Sequence, residues 1–368
     1  MILVTSRPLR VGVIGASAKR GWARNTHVPA LLALPDYELA AVCTSHKDTA
    51  ESSAKHFGVS ESYHDHRLML ENADLDVVAV SVRVPFHYRL TMDALNAGKH
   101  VYTEWPLGSN LDEAIEMAEL ARVKNVSTMI GLQARVSPVF LRARELIDQG
   151  YVGKILSSRL TLINPGILSR TSTDIWQNDR STGVNTFTIS FAHPIDALCM
   201  CLGEFKEVSA ILSTQVKKWQ ATDTGKEVDV NSPDNVMISG ILESGAAVSV
   251  HVATIPWNGS GYQFEIYGTE GTLVLDSPAH AQMGGVNIRG SDSEKRKLEV
   301  IEVPDGLSSL PDSVRSGVVS NVAHMWKKFA NNICDGVPVE TDFELAVRLH
   351  RFLNVIERAS DTGMRQTL

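Results

Sequence analysis

A chain of 368 residues, 43% hydrophobic and 21% charged, has enough apolar material for two globular domains with full cores. Its formal charge of −7 argues against a basic nucleic-acid-binding face. No stretch approaches the ~18 consecutive apolar residues of a membrane span.

Leu9 to Gly15 is a short apolar run ending in glycine, as in a buried parallel strand. A helix is expected from about Thr26 to Leu34 and a strand from Glu38 to Cys43. Helices over Asp48 to Phe57 and His66 to Asn72 follow, then a buried strand over Asp76 to Val82. A helix from His87 to Gly98, a strand from His100 to Thr103, a helix from Leu111 to Lys124 and a strand from Ser127 to Ile130 complete the alternation. That alternation predicts a doubly wound parallel sheet with right-handed crossovers over residues 1–133. Beyond Gln133 the texture changes to one amphipathic helix (Pro138 to Gln149) and then mainly strands. The strands are Lys154 to Leu162, Glu207 to Thr214, Asn235 to Leu242, Ala246 to Ala253, Tyr262 to Gly268 and Gly271 to Asp276. With closing helices Val319 to Cys334 and Phe343 to Ser360, residues 134–368 read as an α+β domain around a mostly antiparallel open sheet. Polar stretches near Lys217 to Pro233, Pro278 to Arg296 and Pro304 to Ser316 read as loops. The basic run Lys295-Arg296-Lys297 lies beside Asp292 and Glu294 and reads as solvated surface.

Cys43, Cys199, Cys201 and Cys334 form no C-x-x-C pair and are expected to be reduced thiols of a cytoplasmic protein. Met1 to Pro8 has no hydrophobic core region, so no export signal is expected. His64-x-His66 lacks a third ligand, and no metal site is expected.

After the first strand, Gly15-Ala16-Ser17-Ala18-Lys19-Arg20-Gly21-Trp22 stands where a phosphate-binding turn belongs. Ser17 replaces the second glycine of G-x-G-x-x-G and one extra residue precedes Gly21. Backbone N–H groups there could hold a pyrophosphate. The second strand ends Val42-Cys43-Thr44-Ser45-His46-Lys47, without the acidic residue that binds both ribose hydroxyls of NAD. Ser45 and Lys47 are suited instead to a 2′-phosphate, so NADP(H) is expected, with NAD(H) the alternative.

The run A-L-N-A-G-K-H-V-Y-T-E-W-P (Ala94 to Pro106), the later G-L-Q-A-R-V-S-P (Gly131 to Pro138) and His193-Pro194-Ile195-Asp196 resemble the glucose-fructose oxidoreductase, inositol dehydrogenase and rhizopine catabolism (Gfo/Idh/MocA) family. Thr26-His27-Val28-Pro29-Ala30, the Glu104-Trp105 pair and the segment Ser137 to Gly153 resemble, more narrowly, the yeast galactose-regulon repressors, a cofactor-binding subgroup without enzymatic activity. Two departures from the catalytic pattern matter. Trp105 stands where the family has its catalytic lysine, and an indole can only stack and donate one hydrogen bond. Ile189 stands where the family has an aspartate.

The resemblance implies a Rossmann domain followed by a substrate and oligomerisation domain, in a homodimer or homotetramer. It implies a cofactor site including Arg83, His87, Glu104, Trp105 and Gln133, and a substrate side including Trp105, Arg135, Trp176, Asn185 and His193. Without the lysine, proton transfer would pass to His193. A water held by Thr188 or Ser190 is the other route, and Asp196 would position His193. The expected function is hydride transfer between NADP(H) and a carbonyl or secondary alcohol of a small polar substrate of sugar or cyclic polyol type. The alternative is a non-catalytic, cofactor-binding regulator.

Overall fold

The structure, a computed structural model, describes residues 7–168, 170–294 and 296–368. Lys295 of the basic run and most of the leading segment, residues 1–6, lie outside the described residues. The chain divides into two compact units, one running through Gln133 and taking in Ser308–Arg348, the other formed by Ala134–Leu307 and Leu349–Leu368.

The first unit contains β1 (Leu9–Ile14), α1 (Trp22–Asn25), α2 (His27–Ala33), β2 (Tyr37–Cys43), α3 (Lys47–Phe57), β3 (Glu61–Tyr63) and α4 (His66–Asn72). It continues with β4 (Val77–Val80), α5 (His87–Asn96), β5 (His100–Glu104), α6 (Leu111–Lys124) and β6 (Thr128–Gly131). Its sheet is parallel in the order β3-β2-β1-β4-β5-β6. All four residues of β4 are buried, as expected of a strand covered on both faces. Helix starts follow local chemistry: Asp65 accepts from Arg67 N ahead of α4, and Asn110 accepts from Glu113 N ahead of α6. The strand order reverses between β1 and β4, which opens a crevice at their carboxyl ends.

In the second unit come α7 (Pro138–Asp148), β7 (Ile155–Pro165), α8 (Ala192–Leu202), β8 (Phe205–Ser213), β9 (Lys218–Gln220) and β10 (Glu227–Asp229). β11 (Asn235–Leu242), β12 (Ala247–Ile255), β13 (Gly261–Gly268), β14 (Gly271–Ser277), β15 (Asn287–Asp292) and β16 (Glu299–Val300) follow. The closing elements of the chain are α9 (Val318–Asp335), α10 (Phe343–Thr362) and β17 (Gln366–Thr367). Nine strands form one sheet in the order β16-β15-β14-β13-β7-β12-β11-β8-β17. Every pairing is antiparallel except β7 with β12. Alternate residues are buried on one face, among them Val236, Ile238, Val248, Val250, Leu160, Leu162 and Phe264. Burying each such side chain contributes about 1.5–3 kcal/mol. α8 is buried at every position, so it carries no polar face.

Three differences from the sequence reading have clear causes. The helix expected over Thr26 to Leu34 is α2, but a one-turn helix not expected, α1, precedes it, and the two are separated at Thr26. Thr26 Oγ1 there donates back to Trp22 O. The helix expected over Val319 to Cys334 to close the second domain is α9, and it packs in the first unit. Tyr37 Oη donates to Trp326 O at 2.7 Å, Lys327 pairs with Asp36 at 3.0 Å, and Ile130 N donates to Thr341 O at 2.8 Å. The polar stretch from Lys217 to Pro233 contains the antiparallel pair β9–β10. It is held because Trp219 packs with Ile167 and Val230. Among the described residues no helix is long and apolar enough to cross a membrane.

Candidate functional site

In the first unit, a cleft of about 730 Å³ opens at the carboxyl ends of β1, β2 and β4, lined in part by Gly15, Ser17, Arg20, Cys43, Ser45, Asp65, Arg67 and Arg83. Gly15 adopts φ +99°, and a Cβ there would lie 2.1 Å from the Ser81 backbone oxygen. Only glycine fits, which is the backbone approach a dinucleotide turn requires. The turn is braced from within. Ser17 N donates to Gly15 O, Ala18 N to Ser53 Oγ, Lys19 N to Ser17 Oγ, and Arg24 Nε donates to Ala18 O. Gly21, at φ +112°, leads into α1, which lasts a single turn. A macrodipole that short is weak, and the cleft also carries the charged side chains of Arg20 and of Arg67, whose Nε lies 3.4 Å from Asp93. Trp22 is half-buried, with its indole nitrogen unpartnered among the described residues.

Lys47 does not line this cleft. It opens α3 with a largely exposed side chain 3.8 Å from Glu51, because the helix start turns it outward. Ser45 does line it. Two residues were not singled out in sequence: Arg67, and Asp65, whose carboxylate caps α4. Neither follows β2, the strand searched for an acid or a phosphate partner. His66, inside the His64-x-His66 pair, is bonded to Asp93 at 2.7 Å. Among the described residues no cluster of three or more His, Cys, Asp or Glu could hold a metal.

At the end of β5, Glu104 is gripped from two sides. Gln133 Nε2 donates to Oε2 at 2.7 Å, and His27 Nε2 faces Oε1 at 2.7 Å. Trp326 Nε1–H, which can only donate, reaches His27 Nδ1 at 3.1 Å. The His27 proton therefore sits on Nε2 and is donated to Glu104. Gly131 completes the grip, since a Cβ there would lie 2.4 Å from Glu104 Oε2. This explains the Thr26-His27-Val28-Pro29-Ala30 motif as a carboxylate support. Trp105 is buried beside it in sequence. His87 places Nδ1 2.8 Å from Pro106 O and Nε2 3.1 Å from Val82 O, tying the Glu104-Trp105-Pro106 segment to the end of β4.

In the second unit, Asn185 begins a wide helical turn, Thr186–Phe191, that runs into α8. Asn185 Oδ1 accepts from Phe187 N and Thr188 N, and Thr188 Oγ1 accepts from Asn185 N at 3.0 Å. Thr188 is thus part of a capping box, a structural bond beside its expected role of holding a reacting water. Asp196 was expected to position His193. In the structure it is clamped by Arg135, with Nη2 2.8 Å from Oδ1 and Nε 2.9 Å from each of Oδ1 and Oδ2. That pair also removes most of the reach expected of Arg135 toward a substrate. His193 is buried, its Nδ1 unpartnered among the described residues. Burial, with His280 nearby, holds its pKa down at about 3. It is a neutral hydrogen-bonding group at neutral pH, not an imidazole poised to titrate there.

His193 shares this state with His324 and His350, each held down to about 4 by burial, Lys328 adding to the effect at His324. The folded values lie below the ordinary ~6.5, so the unfolded chain binds protons first as pH falls. Stability from these groups is complete above pH ~6.5 and is lost on acidification toward the folded values. Each histidine then removes about 1.4 kcal/mol per pH unit. Urea melts at pH 7 and pH 5 are expected to show a clearly lower midpoint at pH 5. An unchanged midpoint contradicts this burial.

Beside the capped turn lies a cavity of about 260 Å³, walled by Asn164, Arg170, Asn185, Ile189, Trp219 and His280 among others. Trp176 belongs to the turn Ile175–Asn178, whose next residue, Gln177, lines the cavity. Arg170, Trp219 and His280 carry no sequence signal, since each stands alone in a polar stretch.

The model of the oxidoreductase family with an NAD-binding Rossmann fold (GFO_IDH_MocA) matches residues 9–132, and that of the Gal80p C-terminal domain matches residues 138–277. The chain is 33% identical over 289 residues to Dehydrogenase aclE of Aspergillus oryzae, covering 74% of this chain and 78% of that protein. It is 28% identical over 296 residues to the galactose/lactose metabolism regulatory protein GAL80 of Saccharomyces cerevisiae, covering 74% and 67%. A solved levoglucosan dehydrogenase in complex with NADH matches with TM-score 0.85 and 22% identity over 98% of this chain and 99% of that one, a likeness of fold.

Proposed function

Because the chain belongs to the Gfo/Idh/MocA family of NAD(P)-binding oxidoreductases, with a Gal80p-like C-terminal domain, we propose that it is an NADP(H)-dependent oxidoreductase. Its substrate is a small polar molecule of sugar or cyclic polyol type, carrying a carbonyl or secondary alcohol. One observation carries the reading: the first unit has a dinucleotide cleft and the second unit has a polar cavity of its own, a place for a substrate as well as a cofactor. The names of two similar proteins, Dehydrogenase aclE and levoglucosan dehydrogenase, support the same class.

The residues fit the cofactor. Gly15 admits a pyrophosphate close to the backbone, Arg20 supplies charge, and Ser45 with Arg67 faces the ribose end. When bound, the nicotinamide supplies or accepts the hydride. Glu104, held by His27 and Gln133, gives the end of β5 a fixed carboxylate, and Trp105 contributes an apolar ring that excludes water. His193, kept neutral, is offered to a substrate hydroxyl as a hydrogen-bonding group and not as a base that titrates near neutral pH. Loss of the lysine removes general acid–base help worth ~10²–10⁴-fold, so turnover is slow.

A specific observation favours a second reading, a cofactor-binding regulator. Thr188 and Asp196 are committed to structural bonds, and His193 is far from its ordinary titration range. In that case the cleft senses cofactor and no substrate turns over.

Cofactor choice tests the site directly. Arg67→Ala is expected to weaken NADPH by about 1.5–3 kcal/mol, the worth of a charge-assisted bond, and NADH by much less. Lys47→Ala is expected to leave both unchanged. Calorimetry showing equal losses for the two cofactors in Arg67→Ala, or tighter NADH binding by the unmodified protein, contradicts the assignment and transfers the ribose to Asp65.

A further inference from the structure

The wall of the second unit's cavity carries donors that have no acceptor among the described residues. Arg170 stacks over the Trp219 ring, its guanidinium carbon 4.8 Å from the ring centroid, and Nη1 donates to Gln177 Oε1 at 2.7 Å. Its Nε is buried without a partner among the described residues. Trp219 Nε1–H, which can only donate, is also buried without an acceptor among the described residues. Asn185 spends its carbonyl on two backbone N–H groups, which leaves its amide N–H groups to the cavity.

The negative side of the wall is quiet. Asp234 lines the cavity, but its oxygens accept from Gln215 N, Val216 N and Asn235 Nδ2. Ile189 places an apolar side chain where the family pattern has an aspartate. Asp174 influences Arg170 without pairing with it, and its own carboxylate accepts from Thr171 and Thr173 hydroxyls. A half-buried cation and two donors unmet among the described residues, in a wall whose one carboxylate is satisfied, form a site for an anion in a chain of formal charge −7.

We propose that this cavity recognises its small polyhydroxylated ligand through a carboxylate, seated against Arg170 and the Trp219 N–H, so that the substrate class is sugar acids and not neutral sugars. The inference rests on the reading of this cavity as the substrate site. A guanidinium suits a carboxylate because its planar fork matches two oxygens, and stacking on the indole fixes the plane of the fork.

The test is calorimetric titration of the full chain, with NADPH present, against D-glucuronate, D-gluconate, D-glucose and D-glucose 6-phosphate. The acids are expected to bind at least ~10-fold tighter than glucose. Arg170→Gln is expected to erase that preference, Arg170→Lys to keep part of it, and Trp219→Phe to reduce acid affinity several-fold. Thermal melts of each variant separate lost binding from lost folding, and Arg170→Lys is the reading of record if Arg170→Gln does not fold. Acids binding no tighter than glucose, acid binding indifferent to Arg170, or binding of the phosphate ester alone overturns the proposal. Arg170-dependent acid binding without hydride transfer sustains it while removing the oxidoreductase reading. Neutral-sugar turnover indifferent to Arg170 does the reverse.

Discussion

Asp196→Ala is expected to cost about 3–5 kcal/mol of folding stability, because it strands the buried Arg135 guanidinium without its carboxylate. The two side chains are 10% and 3% exposed, so water cannot replace the lost partner. An exposed pair would move stability by only about 0–1 kcal/mol. Replacing both members together, Arg135→Met with Asp196→Leu, is expected to recover most of the loss, since the desolvation of both charges disappears with the attraction between them. Urea unfolding of the two variants separates the roles. A stable Asp196→Ala with impaired turnover would instead return Asp196 to the service of His193.

Much of this architecture was legible in the residues. Apolar runs such as Val77–Val80, closed by turn residues, read as strands because a strand covered on both faces tolerates no polar alternation. The helix Leu111–Lys124 was readable to its ends, where Asn110 caps it and the acidic and basic residues follow the dipole. The placement of α9 was not. An amphipathic helix shows that it has a buried face but not which surface receives it, and the Trp326 to His27 bond spans 299 residues of chain.

The site was legible in part for the same reason. Gly15 and the Glu104-Trp105 pair belong to local runs whose neighbours announce them. Lys47 misled because position after a strand does not give the direction of a side chain once a helix begins. Asp196 and His193 lie three apart on one helix, which invites a pairing, yet the stronger partner for Asp196 is Arg135, 61 residues away. Trp219 and Arg170 meet only because β9–β10 folds onto Ile167, and no local pattern encodes that meeting.

Gly15→Ala is expected to abolish dinucleotide binding, a loss on the order of 100-fold or more in affinity. The added methyl group would lie 2.1 Å from the Ser81 oxygen, a backbone atom that no side-chain rotation can move. The positive φ at Gly15 disfavours alanine even without that clash. The strands β1 and β4 would have to separate at the point where the pyrophosphate is expected. This variant therefore supplies the blank for the decisive measurement, which is transfer of deuterium from C4-labelled NADPH to a panel of keto sugars, keto acids and cyclic ketones, read by mass spectrometry of the products. Deuterium is predicted in at least one product with the unmodified protein and in none with Gly15→Ala. Tight NADPH binding by the unmodified protein, with no label in any product, would contradict the oxidoreductase account and leave the cleft as a cofactor sensor.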